Sequence, residues 1–303
     1  MTLSPRGTHP PRGAVPVTLV AAPALSVLTV SSGRPDLVLT KLTALATQSV
    51  DPDVLEVVLV DNACPERVGD RAAARSWPFA LRVVRCERRE AAWQARCRAV
   101  TAAAAPLVWL SDDDCVPAPD AAERHLARQR GGPAVVIGAV RFIAGDTVQA
   151  WTPRRVGPLQ LTGANATLPR EAMLAACADP VVLPRAYGGE DGALGLQLRR
   201  SGLRFVGAPE ASVDHHGPDP MHGADAARAF DAGYNAVAIA RRWPEATWSL
   251  GVHPLQLVLK RLVLAAPDAI AWRRLAPGRV RYERAYLDGS LTARQDLASE
   301  AES

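Results

Sequence analysis

An apolar run that ends in three consecutive carboxylates constrains the fold of this chain more than any other feature. Residues 107–110 read Leu-Val-Trp-Leu, and Ser111 separates them from the acidic run Asp112–Asp114. Short runs of large apolar residues are typical of strands that are buried on both faces of a parallel sheet. The sequence therefore predicts a buried strand at 107–110 with the acidic run at its carboxyl end.

The acidic run predicts a cation beside this strand, because like charges within a few ångströms oppose ionisation. Alternate side chains of an extended segment share a face, so Asp112 and Asp114 are expected to point together and Asp113 away from them. Two carboxylates on one face suit Mg²⁺ or Mn²⁺, which complete their coordination with water and phosphate oxygens. A solvated acidic turn that caps the next helix is the alternative for a DxD pattern taken alone.

Strands and helices alternate along the first part of the chain. The sequence predicts buried strands at 25–30, 54–60 and 81–84, with helices at 36–46 and 91–105. This alternation predicts a parallel sheet with crossover helices, in which ligands bind beyond the carboxyl ends of the strands. No GxGxxG or GxxxxGK[ST] pattern follows these strands, so neither a dinucleotide site nor a P-loop is expected.

Composition narrows the class of protein. Of the 303 residues, 48% are hydrophobic and 22% charged, which is ordinary for a soluble enzyme. The formal net charge is +4 and no basic block with interleaved aromatics occurs, so nucleic acid is not an expected partner. Five cysteines form no CxxC pair, which favours reduced thiols and a cytoplasmic location. The uncharged stretch at 13–33 resembles a signal peptide or a membrane span, but Pro16 and Pro23 interrupt it. Residues 1–24 are therefore predicted to be a disordered Pro-rich tail.

Several short motifs follow one another along the chain and together carry a resemblance to a known family. They are Arg34-Pro35, Asp61-Asn62, Arg96, Asp112-Asp113-Asp114-Cys115, Gly163-Ala164-Asn165, Gly188-Gly189-Glu190-Asp191 and His215. In this order and at these spacings, the sequence resembles the family 2 glycosyltransferases with the GT-A fold over roughly residues 25–216.

The resemblance implies an α/β fold of the GT-A type, with a Rossmann-like, mostly parallel central sheet flanked by helices. A catalytic domain is expected at 25–216, divided into a nucleotide-binding half at 25–117 and an acceptor half at 118–216. Residues 217–303 are expected to form a helical extension at the carboxyl end.

The resemblance also implies an activity, namely metal-dependent transfer of a sugar from a UDP-, GDP- or dTDP-linked donor to a hydroxyl acceptor, with inversion at the anomeric carbon. The implied cofactor is Mn²⁺ or Mg²⁺. A glycan, a lipid-linked compound and a small molecule all stay open as the acceptor. Two other functions also stay open. One is a sugar-phosphate nucleotidyltransferase, and the other is a non-catalytic nucleotide-sugar-binding protein. Cys97 stands where the family usually has Asn, and this departure suits the second of these functions.

Roles for single residues follow from the same resemblance. The catalytic base is expected at Asp191, with Glu190 beside it, at a helix start where the backbone dipole favours an anion. The nucleotide is expected to contact Ser31, Arg34, Asp61, Arg96, Asp112 and Asp113. The metal is expected at Asp112, Asp114 and His215. The sugar and acceptor pocket is expected to involve Trp151, Gly163, Asn165 and Gly189.

An apolar and basic stretch at 254–275 leaves two interpretations open. A helix lying on a membrane surface would suit a lipid-linked acceptor and gives the enzyme a peripheral membrane contact. A helix that packs on the protein core would show the same pattern.

Overall fold

The computed structural model describes residues 22–153, 156–217, 225–265 and 277–302, so most of the predicted tail at 1–24 lies outside the described residues. The strands are β1 (Leu25–Ser31), β2 (Leu55–Asn62), β3 (Ala80–Cys86), β4 (Leu107–Leu110), β5 (Cys115–Pro117), β6 (Ala134–Ala144), β7 (Thr147–Trp151), β8 (Ala166–Pro169) and β9 (Arg204–His216). The helices are α1 (Pro35–Ala46), α2 (Val68–Ala73), α3 (Ala92–Ala102), α4 (Ala121–Gln129), α5 (Arg170–Ala178), α6 (Glu190–Arg200), α7 (Ala226–Arg242), α8 (Pro254–Ala265) and α9 (Pro277–Glu302).

One mixed sheet organises the described residues, in the strand order β3-β2-β1-β4-β8-β6-β9-β5, with β7 paired to β6. The strands β1 to β4 pair in parallel, as the sequence predicts. Beyond β4 the sheet is mixed, because β8 runs antiparallel to both β4 and β6, and the tight β6–β7 connection forces antiparallel pairing. The predicted α/β class is confirmed, with the parallel character concentrated in the first half.

Alternate residues of the central strands pack on opposite faces of the sheet. In β2 the side chains of Val57 and Leu59 belong to the same buried cluster as Leu42 of α1. Val58 and Val60 point to the other face and pack with Ala99 of α3. Because helices cover both faces, the carboxyl ends of β1, β2 and β4 remain the open part of the sheet, which is where a ligand can reach it.

A buried polar network around Asn165 ties four elements together. Asn165 Oδ1 accepts hydrogen bonds from Trp109 Nε1 (3.0 Å) and His125 Nε2 (2.8 Å), and its Nδ2 donates to the carbonyls of Ala139 (2.8 Å) and Ala211 (3.0 Å). Asn165 has no exposed surface and its amide is fully used. The prediction that Asn165 lies in the sugar pocket is therefore wrong, because the residue is an internal connector of β4, α4, β6 and β9.

The carboxyl-terminal helices α7 and α9 pack in close contact through two glycines. A Cβ atom at Gly233 would lie 2.0 Å from the carbonyl oxygen of Tyr286, and one at Gly289 would lie 2.0 Å from that of Phe230. Only glycine permits this approach at both crossing points. Among the described residues, no helix combines the length and the apolar composition that crossing a membrane requires.

Cys97 of α3 and Cys177 of α5 form a disulfide with a Cα–Cα distance of 5.6 Å. The prediction of reduced thiols is wrong for this pair, because α3 and α5 pack side by side and bring residues 80 positions apart into contact. Cys64, Cys86 and Cys115 are free and buried. Since disulfides are typical of oxidising compartments, the pair offers no support for the predicted cytoplasmic location.

His125 makes stability depend on pH. Burial lowers its pKa from 6.5 to about 4, and the folded protein therefore keeps the imidazole neutral where the unfolded chain protonates it. The stability that the neutral imidazole contributes is fully present above pH 6.5, and it is lost as the pH falls through 4. We expect His125 to account for about 3 kcal/mol of the loss in unfolding free energy between pH 7.5 and 4.

Urea unfolding of the wild-type protein and of His125→Gln across this pH range measures the effect. The variant is expected to show a shallower pH dependence than the wild type, because its side chain does not titrate. Parallel curves for the two proteins would contradict the assignment.

Candidate active site

The acidic run Asp112–Asp114 forms a turn between β4 and β5. The backbone N–H of Cys115 donates to the carbonyl of Asp112 (3.1 Å) and closes this turn. The expectation that Asp112 and Asp114 share a face of an extended segment is wrong, because the chain leaves the extended conformation after β4. The turn directs Asp112 towards Arg96, whereas Asp113 and Asp114 face a different guanidinium.

Arg34 covers the second half of the acidic turn. Its Nη1 contacts the carboxylate of Asp114 and lies 3.5 Å from Asp113 Oδ1. Ser31, at the end of β1, donates its hydroxyl hydrogen to Asp113 Oδ2 at 2.7 Å. Burial raises the pKa of Asp113 and the charge of Asp114 adds to this, whereas the Ser31 hydrogen bond opposes it. The Arg34 side chain is 55% exposed, so it can leave these carboxylates without disturbing the core.

Arg96 of α3 joins the first half of the turn to the start of α6. Its Nη2 lies 3.0 Å from Asp112 Oδ1 and its Nη1 lies 2.8 Å from Asp191 Oδ1. The other oxygen of Asp191 accepts a hydrogen bond from the backbone N–H of Gly163 at 2.8 Å. A Cβ atom at Gly163 would lie 2.1 Å from Arg96 Nη2, so only glycine leaves room for this guanidinium.

Two glycines turn the chain into α6 and so place Glu190 and Asp191 in its first turn. Gly188 and Gly189 have φ angles of 82° and 97°, a left-handed conformation that side chains rarely adopt. Burial raises the pKa of Glu190, and the neighbouring charge of Asp191 raises it further. The structure therefore places Glu190 and Asp191 close to Arg96 and Asp112. The sequence predicts that these four residues belong to one site.

A second group of side chains fits a metal ion. One ligand atom each from Asp114, Cys115 and His215 lie within 4.8 Å of one another, and His215 Nε2 is 3.6 Å from Asp114 Oδ1. Burial, with the charge of Asp112, raises the pKa of the Cys115 thiol well above its usual value. Asp114 and His215 offer a carboxylate and an imidazole, a donor pair that suits Mn²⁺ and leaves positions for phosphate oxygens and water. Asp112 lies outside this group.

Lys41 is a functional residue that the sequence argument missed. It is 1% exposed, and its Nζ donates to the carbonyls of Ser111 and Asp112 (both 2.8 Å) and to Ser111 Oγ (2.7 Å). Burial lowers its pKa to about 8, against the opposing effect of nearby acidic groups. The sequence contains a signal for this role, because a lysine interrupts the apolar stripe of α1. Lys41 lies three residues after Val38 and four before Leu45 on that stripe.

Asp61, predicted to bind the nucleotide, lies away from solvent. Its carboxylate has no exposed surface and accepts hydrogen bonds from the backbone N–H groups of Cys64 (2.9 Å) and Gly69 (3.1 Å) and from Arg85 Nη1 (2.9 Å). The structure contradicts a direct contact with a ligand. Asp61 instead fixes the chain that follows β2, because its donors come from the loop after β2, from α2 and from β3.

Trp151, predicted to line the sugar pocket, ends β7 and is half buried. Its ring packs against the hydrophobic clusters on both sides of the sheet. The structure assigns it to packing, so it offers no support for a sugar platform at this position.

The sequence matches the family model described as "Glycosyl transferase family 2" over residues 26–179, just over half of the chain. The chain belongs to glycosyl transferase family 2. As a member of this family the protein is a glycosyltransferase, and the matched segment carries both the acidic turn and Arg96. No curated protein sequence matches this family 2 chain.

Solved structures show the same fold as this family 2 chain. The mannosyltransferase PcManGT from Pyrobaculum calidifontis, in complex with GDP-Man and Mn²⁺, is 19% identical with a TM-score of 0.62. The similarity covers 91% of this chain and 88% of PcManGT. The 1–349 fragment of S. aureus TarS, in complex with UDP-GlcNAc, is 15% identical with a TM-score of 0.55, covering 90% of this chain and 92% of TarS. At these identities the similarity shows the fold, which is the expected GT-A fold.

Asn235, on α7 beyond the matched segment, holds the loop that precedes the carboxylates of this family 2 enzyme. Its Nδ2 donates to the carbonyls of Gly188 (2.7 Å), Tyr187 (3.2 Å) and Arg185 (3.1 Å), and its Oδ1 accepts from the N–H of Arg185 (2.9 Å). Asn235 is fully buried. No sequence motif surrounds it, because its partners are backbone atoms some fifty residues away, so sequence reasoning had no signal for it.

Removing these hydrogen bonds should misplace Glu190 and Asp191. For Asn235→Ala we expect kcat to fall about tenfold or more, because small displacements of catalytic groups are costly. Donor binding, measured by calorimetry with Mn²⁺, should stay at the wild-type value. Ser290→Ala is the matched control, since Ser290 is buried in the same α7–α9 contact but bonds only to Gly233 and Tyr286. Equal kcat values for the two variants would refute the positioning role.

Proposed function

We propose that this glycosyltransferase moves a sugar from a UDP-, GDP- or dTDP-linked donor to a hydroxyl acceptor, with inversion at the anomeric carbon. The observation that carries the proposal is the guanidinium of Arg96, which contacts Asp112 on one side and Asp191 on the other. A leaving group on the Asp112 side and a proton acceptor on the Asp191 side suit a single displacement. The nucleotide-sugars bound by PcManGT and TarS support the donor class.

Binding of the nucleoside diphosphate is proposed for the acidic turn and its neighbours. Ser31 and Asp113 form one hydrogen-bonded unit at the ends of β1 and β4. Arg34, whose side chain is more than half exposed, can exchange its carboxylate partners for a phosphate group. Arg96 and Asp112 complete the nucleotide contacts at the other end of the turn.

A divalent cation, Mn²⁺ or Mg²⁺, is proposed at Asp114 and His215. Asp112, the third expected ligand, lies outside this group and pairs with Arg96. The crystals of PcManGT contain Mn²⁺, which supports a divalent metal of this kind. When bound, the cation neutralises charge that develops on the leaving diphosphate. The protein fixes the geometry of the turn, because Lys41 donates hydrogen bonds to the backbone carbonyls of Ser111 and Asp112.

Asp191 is proposed as the base that takes the proton of the acceptor hydroxyl, with Glu190 beside it. The backbone N–H of Gly163 and the guanidinium of Arg96 orient the Asp191 carboxylate. A proton acceptor across from the leaving group is what an inverting displacement requires. Gly189 before α6 allows close packing against α7, because a Cβ atom there would lie 2.9 Å from Ile239 Cδ1.

Substitutions at the two ends of the site should have different effects. We expect Asp191→Asn to lower the transfer rate about 100-fold or more while Mn²⁺-nucleotide binding persists, because only the proton acceptor is lost. We expect Asp114→Asn to weaken Mn²⁺ binding about tenfold or more, because the ligand loses its negative charge. Calorimetry and nucleotide release with a working acceptor measure the two effects.

Asp53→Asn is the control for these variants, since Asp53 is exposed and lies in a different turn. The site assignment fails if both Asp191→Asn and Asp114→Asn keep wild-type transfer. Mn²⁺-dependent nucleotide binding without turnover of any donor would favour a binding protein instead.

A peripheral membrane contact is proposed for α8, the described part of the stretch at 254–275. Leu255, Leu259 and Leu262 follow one another at helical spacing and are 67%, 61% and 67% exposed. Leu257 is the single buried residue of this helix, so packing on the core, the other interpretation, accounts for little of its apolar surface. The basic Arg261 beside this stripe suits an anionic lipid surface. Residues 266–275 lie outside the described part of the chain.

Charges placed on this stripe should abolish membrane contact. We expect the double variant Leu255→Glu with Leu259→Glu to bind vesicles of mixed anionic and zwitterionic lipid about tenfold or more weakly, because two apolar side chains lose their insertion. Co-sedimentation with such vesicles measures this. Val148→Glu serves as control, since Val148 is also exposed but lies on β7. Wild-type sedimentation of the double variant would refute the contact.

A further inference from the structure

A groove of about 1400 Å³ is lined by α3, α5, α6 and the segment 180–186. Of its described lining residues, none comes from the acidic turn Asp112–Asp114. The volume is larger than that of most small-molecule sites, which span several hundred cubic ångströms. The groove is therefore large enough for a ligand well beyond one sugar ring, and it is separate from the charged side of the site.

Helix α3 separates this groove from the acidic turn. Trp93, Cys97 and Thr101 lie four residues apart, so they form one stripe on the helix, and all three line the groove. Arg96 points instead to Asp112 and Asp191. The Cys97 disulfide joins the α3 wall to the α5 wall.

Apolar side chains form most of the lining. They are Val84, Trp93, Leu174, Val181, Leu183 and Leu194. Two charged lining residues, Glu90 and Arg98, neutralise each other through a bidentate ion pair with both distances at 2.6 Å. Arg185 adds one positive charge, with its guanidinium 4.3 Å from the ring centre of Tyr234. An apolar surface of this kind gains free energy when it covers hydrocarbon.

Gln197 leaves one polar atom in the groove wall without a partner. Its Nε2 donates to the carbonyl of Asp179 at 2.9 Å, whereas its Oε1 is buried and meets no hydrogen-bond donor among the described residues.

The groove reaches the carboxylates at the start of α6. Glu190 lines it, and the next residue, Asp191, contacts Arg96. One end of the groove thus lies at the residue that precedes the proposed base, and its apolar walls extend away from the charged side.

We propose that this groove holds the acceptor, and that the acceptor is a hydroxyl compound with an apolar body. This inference rests on the proposed glycosyl transfer. The reacting hydroxyl lies at Glu190, next to Asp191, and the apolar body covers Trp93 and its neighbours. In the reaction the hydroxyl oxygen bonds to the anomeric carbon, and the bond from that carbon to the diphosphate oxygen breaks. Its electron pair leaves with the nucleoside diphosphate, and the hydroxyl proton passes to Asp191.

Binding of decyl glucoside and of glucose to the full chain, measured by calorimetry without donor, tests the groove directly. The two probes share their hydroxyl groups and differ in the apolar body. We expect decyl glucoside to bind about 100-fold more tightly, because most of its hydrocarbon is removed from water. Equal affinities would overturn the proposal.

Val182 and Val148 provide a matched pair of substitutions. Val182 lines the groove and is 85% exposed, and Val148 is 58% exposed on β7, so a charge at either position spares the core. Val182→Asp should weaken decyl glucoside binding about tenfold, because a carboxylate then faces hydrocarbon. Val148→Asp should stay within about twofold of the wild type. Equal effects of the two variants would place the ligand elsewhere and overturn the proposal.

Donor binding and donor hydrolysis report on the glycosyl transfer separately. If Mn²⁺-nucleotide binding and hydrolysis occur but decyl glucoside binds no better than glucose, the acceptor inference fails and the proposed function stands. If no nucleotide-sugar binds at all, the proposed function fails and the acceptor role fails with it, even where decyl glucoside still binds in the groove.

Discussion

The crowding of carboxylates at the end of β4 is the constraint on which the rest of the site depends. Like charges this close destabilise one another unless cations lie among them. Arg34 contacts Asp113 and Asp114, Arg96 contacts Asp112, and Lys41 donates to the backbone of the turn. The fold therefore has to deliver three cations from α1, the β1 loop and α3 to one turn.

Arg96 lies between the charged part and the apolar part of the site. Because its guanidinium contacts Asp112 and Asp191 at once, it divides a charged side, with the acidic turn and His215, from an apolar side that begins at Glu190. Ionic groups suit a diphosphate, and the apolar groove suits a less polar partner. One helix, α3, builds both sides, since Arg96 lies on a helix face next to the one formed by Trp93 and Cys97.

The carboxyl-terminal helices contribute to the site from outside the family 2 segment. Asn235 of α7 bonds to three carbonyls of the loop that leads into α6, and α7 is fixed in turn by its glycine contacts with α9. Asn235 holds the carbonyl of Gly188, the first of two glycines with a left-handed conformation before α6. A segment without a motif of its own thus orients Glu190 and Asp191.

The sequence by itself determined the α/β class, the strand at 107–110 with its acidic end, and the helix that starts at Glu190. These features are local, because burial of a strand and the start of a helix depend on neighbouring residues. Tertiary structure alone decided that Asp61 and Asn165 are internal, that Cys97 pairs with Cys177, and that Asn235 supports the site. Each of these depends on which distant backbone atoms reach a side chain. The spacing of residues along the chain does not contain that information.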